Sequence, residues 1–162
     1  FIGSTDKDFQ QLLSPSVQIL RPARDAGVAG MQRYTAAEFQ EEYEGIITPD
    51  QFVHVLALAG DSSDSVPGVR RVGMKTAVKL VAQYGSVEGV LEHAAETKPK
   101  CVREALCSEE GAASARLSLQ LVRICTDLRS PAVSAGSLES LRLPPPADLL
   151  LQVQEDWEML EF

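Results

Sequence analysis

Gly60-Asp61-Ser62-Ser63-Asp64-Ser65-Val66-Pro67-Gly68-Val69-Arg70-Arg71-Val72-Gly73-Met74-Lys75-Thr76-Ala77 joins two carboxylates to a glycine-punctuated, basic turn. Gly68 and Gly73 let the backbone turn tightly and bring amides close to a ligand. A helix starting near Met74 points its free amides and positive dipole end at that turn, which suits a phosphate. Lys75, Thr76 and Lys79 add side-chain donors, and Lys75 and Lys79, four apart, share one face. Ala77, Leu80, Val81 and Tyr84 share the opposite, apolar face. The bland alternative is an ordinary helix hairpin with a solvated basic face.

The chain as a whole carries a formal charge of −8 over 162 residues. That balance argues against a nucleic-acid partner until its distribution is considered. From Ser65 to Val87 there are four cations (Arg70, Arg71, Lys75, Lys79) and no acid. Screening confines each charge to about 8–10 Å, so a local basic patch can hold phosphates on an acidic protein.

Upstream, Asp6-Lys7-Asp8 forms a second acidic pair after the strand-like Phe1–Thr5. Asp-x-Asp at a strand end sets two oxygen donors close together, and Asp61-x-x-Asp64 over one helical turn would put two on one face. Two such charges about 4 Å apart repel by about 1 kcal/mol in water and about 4 kcal/mol near a protein surface. Gathering four therefore calls for cations, and hard oxygen ligands suit Mg2+ or Mn2+. Taken singly, each pair also reads as an Asp N-cap at Asp6 or as solvated turn carboxylates.

The remaining pattern is mostly helical. A short helix is expected over 6–13, strands over Val17–Leu20 and Met31–Tyr34 around a Gly/Ala-rich loop, and a capping box at Thr35-Ala36-Ala37-Glu38. Thr48-Pro49 opens a helix with Phe52, Leu56 and Ala59 on one face. Ser86 caps a helix to about Ala95, and further helices are expected near 99–107 and 109–125. A Ser/Gly/Pro-rich loop (130–147) then precedes a final helix with Leu150, Val153, Trp157 and Leu160 on one side. His54 reads as solvent-exposed, His93 as sitting near a helix end, Tyr84 and Trp157 as packing residues. Glu38, Glu41, Glu42 and Glu44 read as a solvated helix face. Cys101, Cys107 and Cys125 form no CxxC pair and read as reduced, partly buried thiols of an intracellular protein, compartment unassigned. No apolar run approaches a membrane span, and the opening reads as the tail of a strand whose preceding part is absent.

Together these segments resemble the 5′→3′ exonuclease domain of bacterial DNA polymerase I and its flap-endonuclease superfamily. The matching pieces are Asp6 to Ser14, Ile47 to Phe52, Gly60 to Asp64, Val66 to Val69, Gly73 to Ala77 and Tyr84 to Ser86, in the family's order, with Arg123–Leu128 and Trp157–Phe162 as closing segments. The resemblance implies an α/β, here mostly α, C-terminal part of a PIN-like 5′-nuclease domain with a helix–three-turn–helix (helix-hairpin-helix-like) subdomain. On it, 1–60 is the remnant of the nuclease core, 61–96 the metal-ligand loop and DNA-binding element, and 97–162 the helical remainder. It further implies two-metal hydrolysis of DNA at 5′ flaps and 5′ ends, in primer removal and repair. Asp6, Asp8, Asp61 and Asp64 are then metal ligands for Mg2+ (or Mn2+). Gly68, Arg70, Arg71, Gly73, Lys75, Thr76 and Lys79 are then duplex-backbone contacts, with K+ as a candidate ion at the hairpin.

The chain departs from the family at three places. It begins in the middle of the domain, without the other carboxylates, most of the sheet and the helical arch, so half a metal site and no activity in isolation are expected. Ser65 replaces the usual Asn. Arg71-Val72-Gly73 replaces the usual Gly-Ile-Gly, and a positive φ at Arg71 would cost about 1–2 kcal/mol unless a phosphate contact offsets it. The rival reading is a non-catalytic duplex-DNA-binding module that keeps only the turn. A third is a truncated product that neither folds well nor binds.

Overall fold

Ile2–Gly3 (β1) lies parallel to Ile19–Pro22 (β2), which pairs antiparallel with Met31–Tyr34 (β3) in a three-stranded sheet of order β1-β2-β3. The computed structural model describes residues 1–23 and 30–126. The Gly/Ala-rich loop after β2, the 130–147 segment, the closing helix and Trp157 fall outside them. Strand β2 starts two residues later than Val17 because Val17 is used in a bridge to Ser14 that closes the Ser14-Pro15 turn. Residues Lys7–Leu12 wind as a 3-10 helix.

The helices follow in order: Ala36–Glu42 (α1), Phe52–Ala59 (α2), Met74–Tyr84 (α3), Val87–Glu92 (α4), Lys100–Cys107 (α5) and Glu109–Val122 (α6). Short 3-10 turns at Pro49–Gln51 and Ala94–Glu96 lead into or out of them. Their starts are written in the sequence. Thr35 and Glu38 form the expected reciprocal capping box on α1. Thr48 and Gln51 form a second at the turn before α2. Ser86 and Ser108 accept from the backbone amides of Gly89 and Gly111. Gly85, at φ +80°, closes α3. Among the described residues no helix is long and apolar enough to cross a membrane.

Helix α2 is the centre of the structure. The expected single apolar face gives way to burial nearly all round: Phe52, Val53, Val55, Leu56, Ala57 and Leu58 are all buried. An apolar helix of this kind must be covered on every side, and α3 and α6 pack on it together with the 7–12 turn. Phe52 meets Phe39 edge-on at 5.6 Å and Tyr43 at 5.4 Å, which fixes α1 against α2. Aromatic pairs of this geometry contribute about 0.5–1.5 kcal/mol beyond area burial. Phe1–Ile124 is one compact unit.

Two findings correct the sequence reading. All three cysteines are exposed, because each falls on the outer side of its segment rather than in the apolar stripe. His54 is half-buried rather than solvent-exposed: its Nδ1 accepts the backbone N–H of Val87, at the start of α4, at 3.4 Å. The position is polar for α2 yet faces a neighbouring helix end.

Backbone contact between Gly60 and Gly68 locks the end of α2 to the following hairpin. A Cβ on Gly68 would lie 2.5 Å from the Gly60 nitrogen, and one on Gly60 would lie 2.8 Å from the Val66 carbonyl oxygen. Both residues also have positive φ, +61° and +73°. Gly68→Ala should therefore lower unfolding free energy by about 2–4 kcal/mol, summing left-handed strain and clash. A denaturant titration showing less than about 0.5 kcal/mol of loss would refute the contact.

Burial, with the Arg123 charge, lowers the pKa of His54 below its usual 6.5, against the pull of Asp50. The unfolded chain therefore takes up the proton first as pH falls, so this contribution is intact above about 6.5 and shrinks below it. His54→Asn keeps an acceptor without the titration. Its thermal midpoint should fall less than that of the wild type between pH 7 and pH 5; parallel curves would contradict this.

Candidate metal and nucleic-acid site

Asp6 caps the 7–12 turn: its Oδ1 accepts the Asp8 amide at 2.9 Å. That turn holds Lys7 and Asp8 in its first residues, and Lys7 reaches Asp61 just beyond the end of α2. Lys7 Nζ lies 2.5 Å from Asp61 Oδ2, with the Asp61 side chain only 9% exposed. This ion pair is what sets the two acidic pairs side by side. Its worth is that of a partly exposed pair, because the Lys7 side chain stays 40% exposed to water.

Asp61 does not lie on a helix. Gly60 ends α2 at φ +73°, and Asp61 and Val66 exchange both backbone hydrogen bonds, at 2.9 and 2.8 Å, closing a tight loop. Asp61 and Asp64 therefore do not share a helical face. Asp61 Oδ1 accepts from the Ser63 amide at 2.9 Å and its hydroxyl at 2.5 Å. Hydrogen bonds from Lys7 and Ser63 hold the Asp61 carboxyl down to about 2. Asp64 is exposed on the same loop. Ser65 has φ +58°, the left-handed region that Asn tolerates better than Ser, which gives the Asn-to-Ser departure a physical meaning.

Asp8 is the strained member electrostatically. Burial raises its pKa, then the Asp6 charge, with Asp64 and Asp61 adding to the rise and Lys7 opposing it. The other three carboxylates thus all act on Asp8, and a cation would relieve it. Yet among the described residues no three His, Cys, Asp or Glu side chains gather closely enough to hold an ion. The donor chemistry fits a hard divalent cation, while the coordination shell these residues offer is partial.

The hairpin sits directly beyond. Gly68 is buried, and α6 takes both its main-chain polar groups: its N–H donates to Ser118 Oγ at 2.9 Å and its carbonyl accepts from Ser114 Oγ at 2.6 Å. Gly68 thus seats the turn on α6. Val69 N–H donates to the Leu58 carbonyl at 2.8 Å. Arg71 has φ +68°, so the conditional strain anticipated for it is present, at about 1–2 kcal/mol.

Gly73 caps α3 without a side-chain hydrogen bond. Arg70, Arg71, Gly73, Lys75 and Lys79 are exposed or partly so, as is Thr76. None of the four cations forms an ion pair among the described residues. They do not share one surface hollow. Arg70 and Arg71 line a cleft of about 780 Å³ whose far wall includes Glu104, Ser108 and Glu110. Thr76 and Lys79 line another of about 420 Å³.

Several residues on which the site depends were not singled out in the sequence. Lys7 was legible only as the cation between two acids. Gln11 donates to the Asp8 and Val122 carbonyls, both at 2.9 Å, and accepts from the Ile124 amide at 3.2 Å. It ties the first acidic pair to the end of α6, and nothing local announces that role. Ser114 and Ser118, one helical turn apart, are the nearest to a readable signal: two small hydroxyls at i, i+4 on a buried helix stripe.

Comparison with known proteins identifies the family and the fold. A family profile described as 5'-3' exonuclease, C-terminal SAM fold, matches residues 47–148. The chain is 38% identical over 151 residues to a 5'-3' exonuclease of Halalkalibacterium halodurans, covering 93% of this chain and 47% of that protein. It is 41% identical over 123 residues to a thermostable DNA polymerase I of Thermus filiformis, covering 76% of this chain and 13% of that protein. The chain thus spans about half the length, or less, of these curated relatives. Among solved structures, a single-site mutant of T5 5'-exonuclease aligns with a TM-score of 0.57 at 21% identity, over 74% of this chain and 45% of that one. A T5 D15 flap endonuclease described as a complex with DNA and metal ions aligns at 0.58 and 20% identity, over 74% and 41%. These two show a shared fold. The chain belongs to the 5'-3' exonuclease family and carries that family's C-terminal SAM fold.

Proposed function

We propose that this chain forms part of a magnesium-dependent 5′→3′ exonuclease and 5′-flap endonuclease acting on DNA in replication and repair. The observation that carries the reading is the Lys7–Asp61 ion pair, which brings two acidic pairs together beside a basic hairpin. In this reading 1–60 belongs to the nuclease core, 61–96 holds the acidic loop and the DNA-binding turn, and 97–162 completes the helical part. Asp6, Asp8, Asp61 and Asp64 contribute to binding Mg2+ or Mn2+, and acids from the preceding half of the domain complete the shell. Divalent ions bound there supply activation of water and compensation of charge at the leaving oxygen, the two-metal arrangement.

The chain's own residues then orient and hold the substrate. Arg70, Arg71, Lys75, Thr76 and Lys79 contact duplex phosphates, which positions DNA without reading its sequence. Gly68 and Gly73 shape the turn, where a K+ ion is a further candidate. Lys7 holds Asp61 ionised and in place until a divalent ion competes for it. Three exposed thiols, with no disulfide formed by them, favour a reducing intracellular setting.

A non-catalytic duplex-binding module is the second reading, and it is favoured by the incomplete ion shell among the described residues. The two separate in one experiment. Fuse the chain behind the N-terminal half of the H. halodurans exonuclease and assay a 5′-flap substrate with Mg2+. Flap cleavage that drops about 100-fold or more in Asp61→Asn and Asp64→Asn supports the nuclease. A fusion that binds duplex but never cleaves supports the module.

Arg71 offers an independent check. Arg71→Gly should stabilise the chain by about 1 kcal/mol, because glycine accepts positive φ freely. It should also weaken duplex binding and lower the salt slope by about one phosphate. Unchanged binding would remove Arg71 from the interface.

A further inference from the structure

Lys79 belongs to a polar stripe of α3 that runs on to Gln83. Thr76, Lys79 and Gln83, spaced three and four apart, form one stripe on that helix and line the 420 Å³ cleft. Across it stand Glu96, Thr97 and Lys98, on the turn that precedes α5. Lys79 and Lys98 are both exposed, and neither forms an ion pair among the described residues. From Lys75 to Gln83 the helix rises roughly 12 Å. One DNA strand carries a charge about every 3.4 Å of duplex axis, so a helix lying along that axis spans about three or four phosphates. A hollow edged by two ammonium groups, a threonine hydroxyl and a carboxamide suits a tetrahedral anion.

We propose that the cleft between α3 and the 94–99 turn is a second backbone-phosphate site, with Lys98 as a duplex-positioning residue that extends the hairpin's grip. The inference rests on the duplex-binding reading above and deepens it. Its ligand is an internal phosphodiester of a duplex long enough to leave the hairpin and run along α3. Glu96, a carboxylate on the cleft wall, limits affinity there and keeps the site from holding free anions tightly. Arg70 and Arg71 line the other cleft, so the two ends of the grip are separable by mutation.

The test is fluorescence anisotropy of the 162-residue chain with duplexes of about 8 and about 20 base pairs, over a salt series. Lys98→Gln should weaken the longer duplex about 5-fold and lower the log–log salt slope by about one, with little change on the shorter one. Lys98→Arg should restore binding, and Glu96→Gln should strengthen it about 2-fold or more. Duplexes with a 5′-phosphate and a 5′-hydroxyl should respond alike. If Lys75→Gln weakens binding while Lys98→Gln matches wild type on the longer duplex, the hairpin reading stands and this site falls. A Lys98 effect confined to 5′-phosphorylated DNA overturns the internal-phosphate assignment. Failure of the wild-type chain to bind any duplex overturns both.

Discussion

Two glycine backbones pressed together, Gly60 against Gly68, are the constraint from which the rest of the arrangement follows. The contact leaves no room for a side chain on either partner, and it joins the end of the buried helix α2 to the start of the basic hairpin. Between the two glycines runs the acidic loop, closed by the Asp61–Val66 hydrogen-bond pair. The length of that loop is thereby fixed, and so is the place where its carboxylates emerge. Ser114 and Ser118 of α6 then hold the Gly68 peptide from behind, so the hairpin cannot shift without breaking buried hydrogen bonds.

The electrostatics follow from this packing. Like charges brought this close need compensation, and the chain supplies one cation, Lys7, to one acid, Asp61. Asp8 is left raised toward neutrality by burial and by its three acidic neighbours. The distribution is uneven: one carboxylate is tightly held and another resists its charge. The basic hairpin and α3 lie next in the chain, so sequence order alone already sets four cations after the acids.

Much of this was legible because the signals are local. The capping box at Thr35, the Thr48 cap with Pro49 after it and the apolar stripe of α3 each lie within a few residues, and the structure has them where expected. The carboxylate and hairpin residues were named from spacing and from the family resemblance. What failed was long-range or hidden by chemistry. Asp61-x-x-Asp64 reads as a helical turn until Gly60 ends the helix. His54 reads as a polar outward residue until α4 offers it an amide. Two of Gln11's three partners are over a hundred residues away, and no local pattern carries that distance.

That reach has an implication for how the chain is made. Gln11 receives its last partner, the Ile124 amide, at a sequence separation of 113 residues. While the polypeptide is still leaving the ribosome, the turn bearing Asp6 and Asp8 can dock on α2, but its far side stays open until α6 has been synthesised. Contacts of such separation form late. The turn bearing the two acids therefore gains its final contacts only once α6 has been made, and so does the basic hairpin, whose Gly68 peptide waits for Ser114 and Ser118.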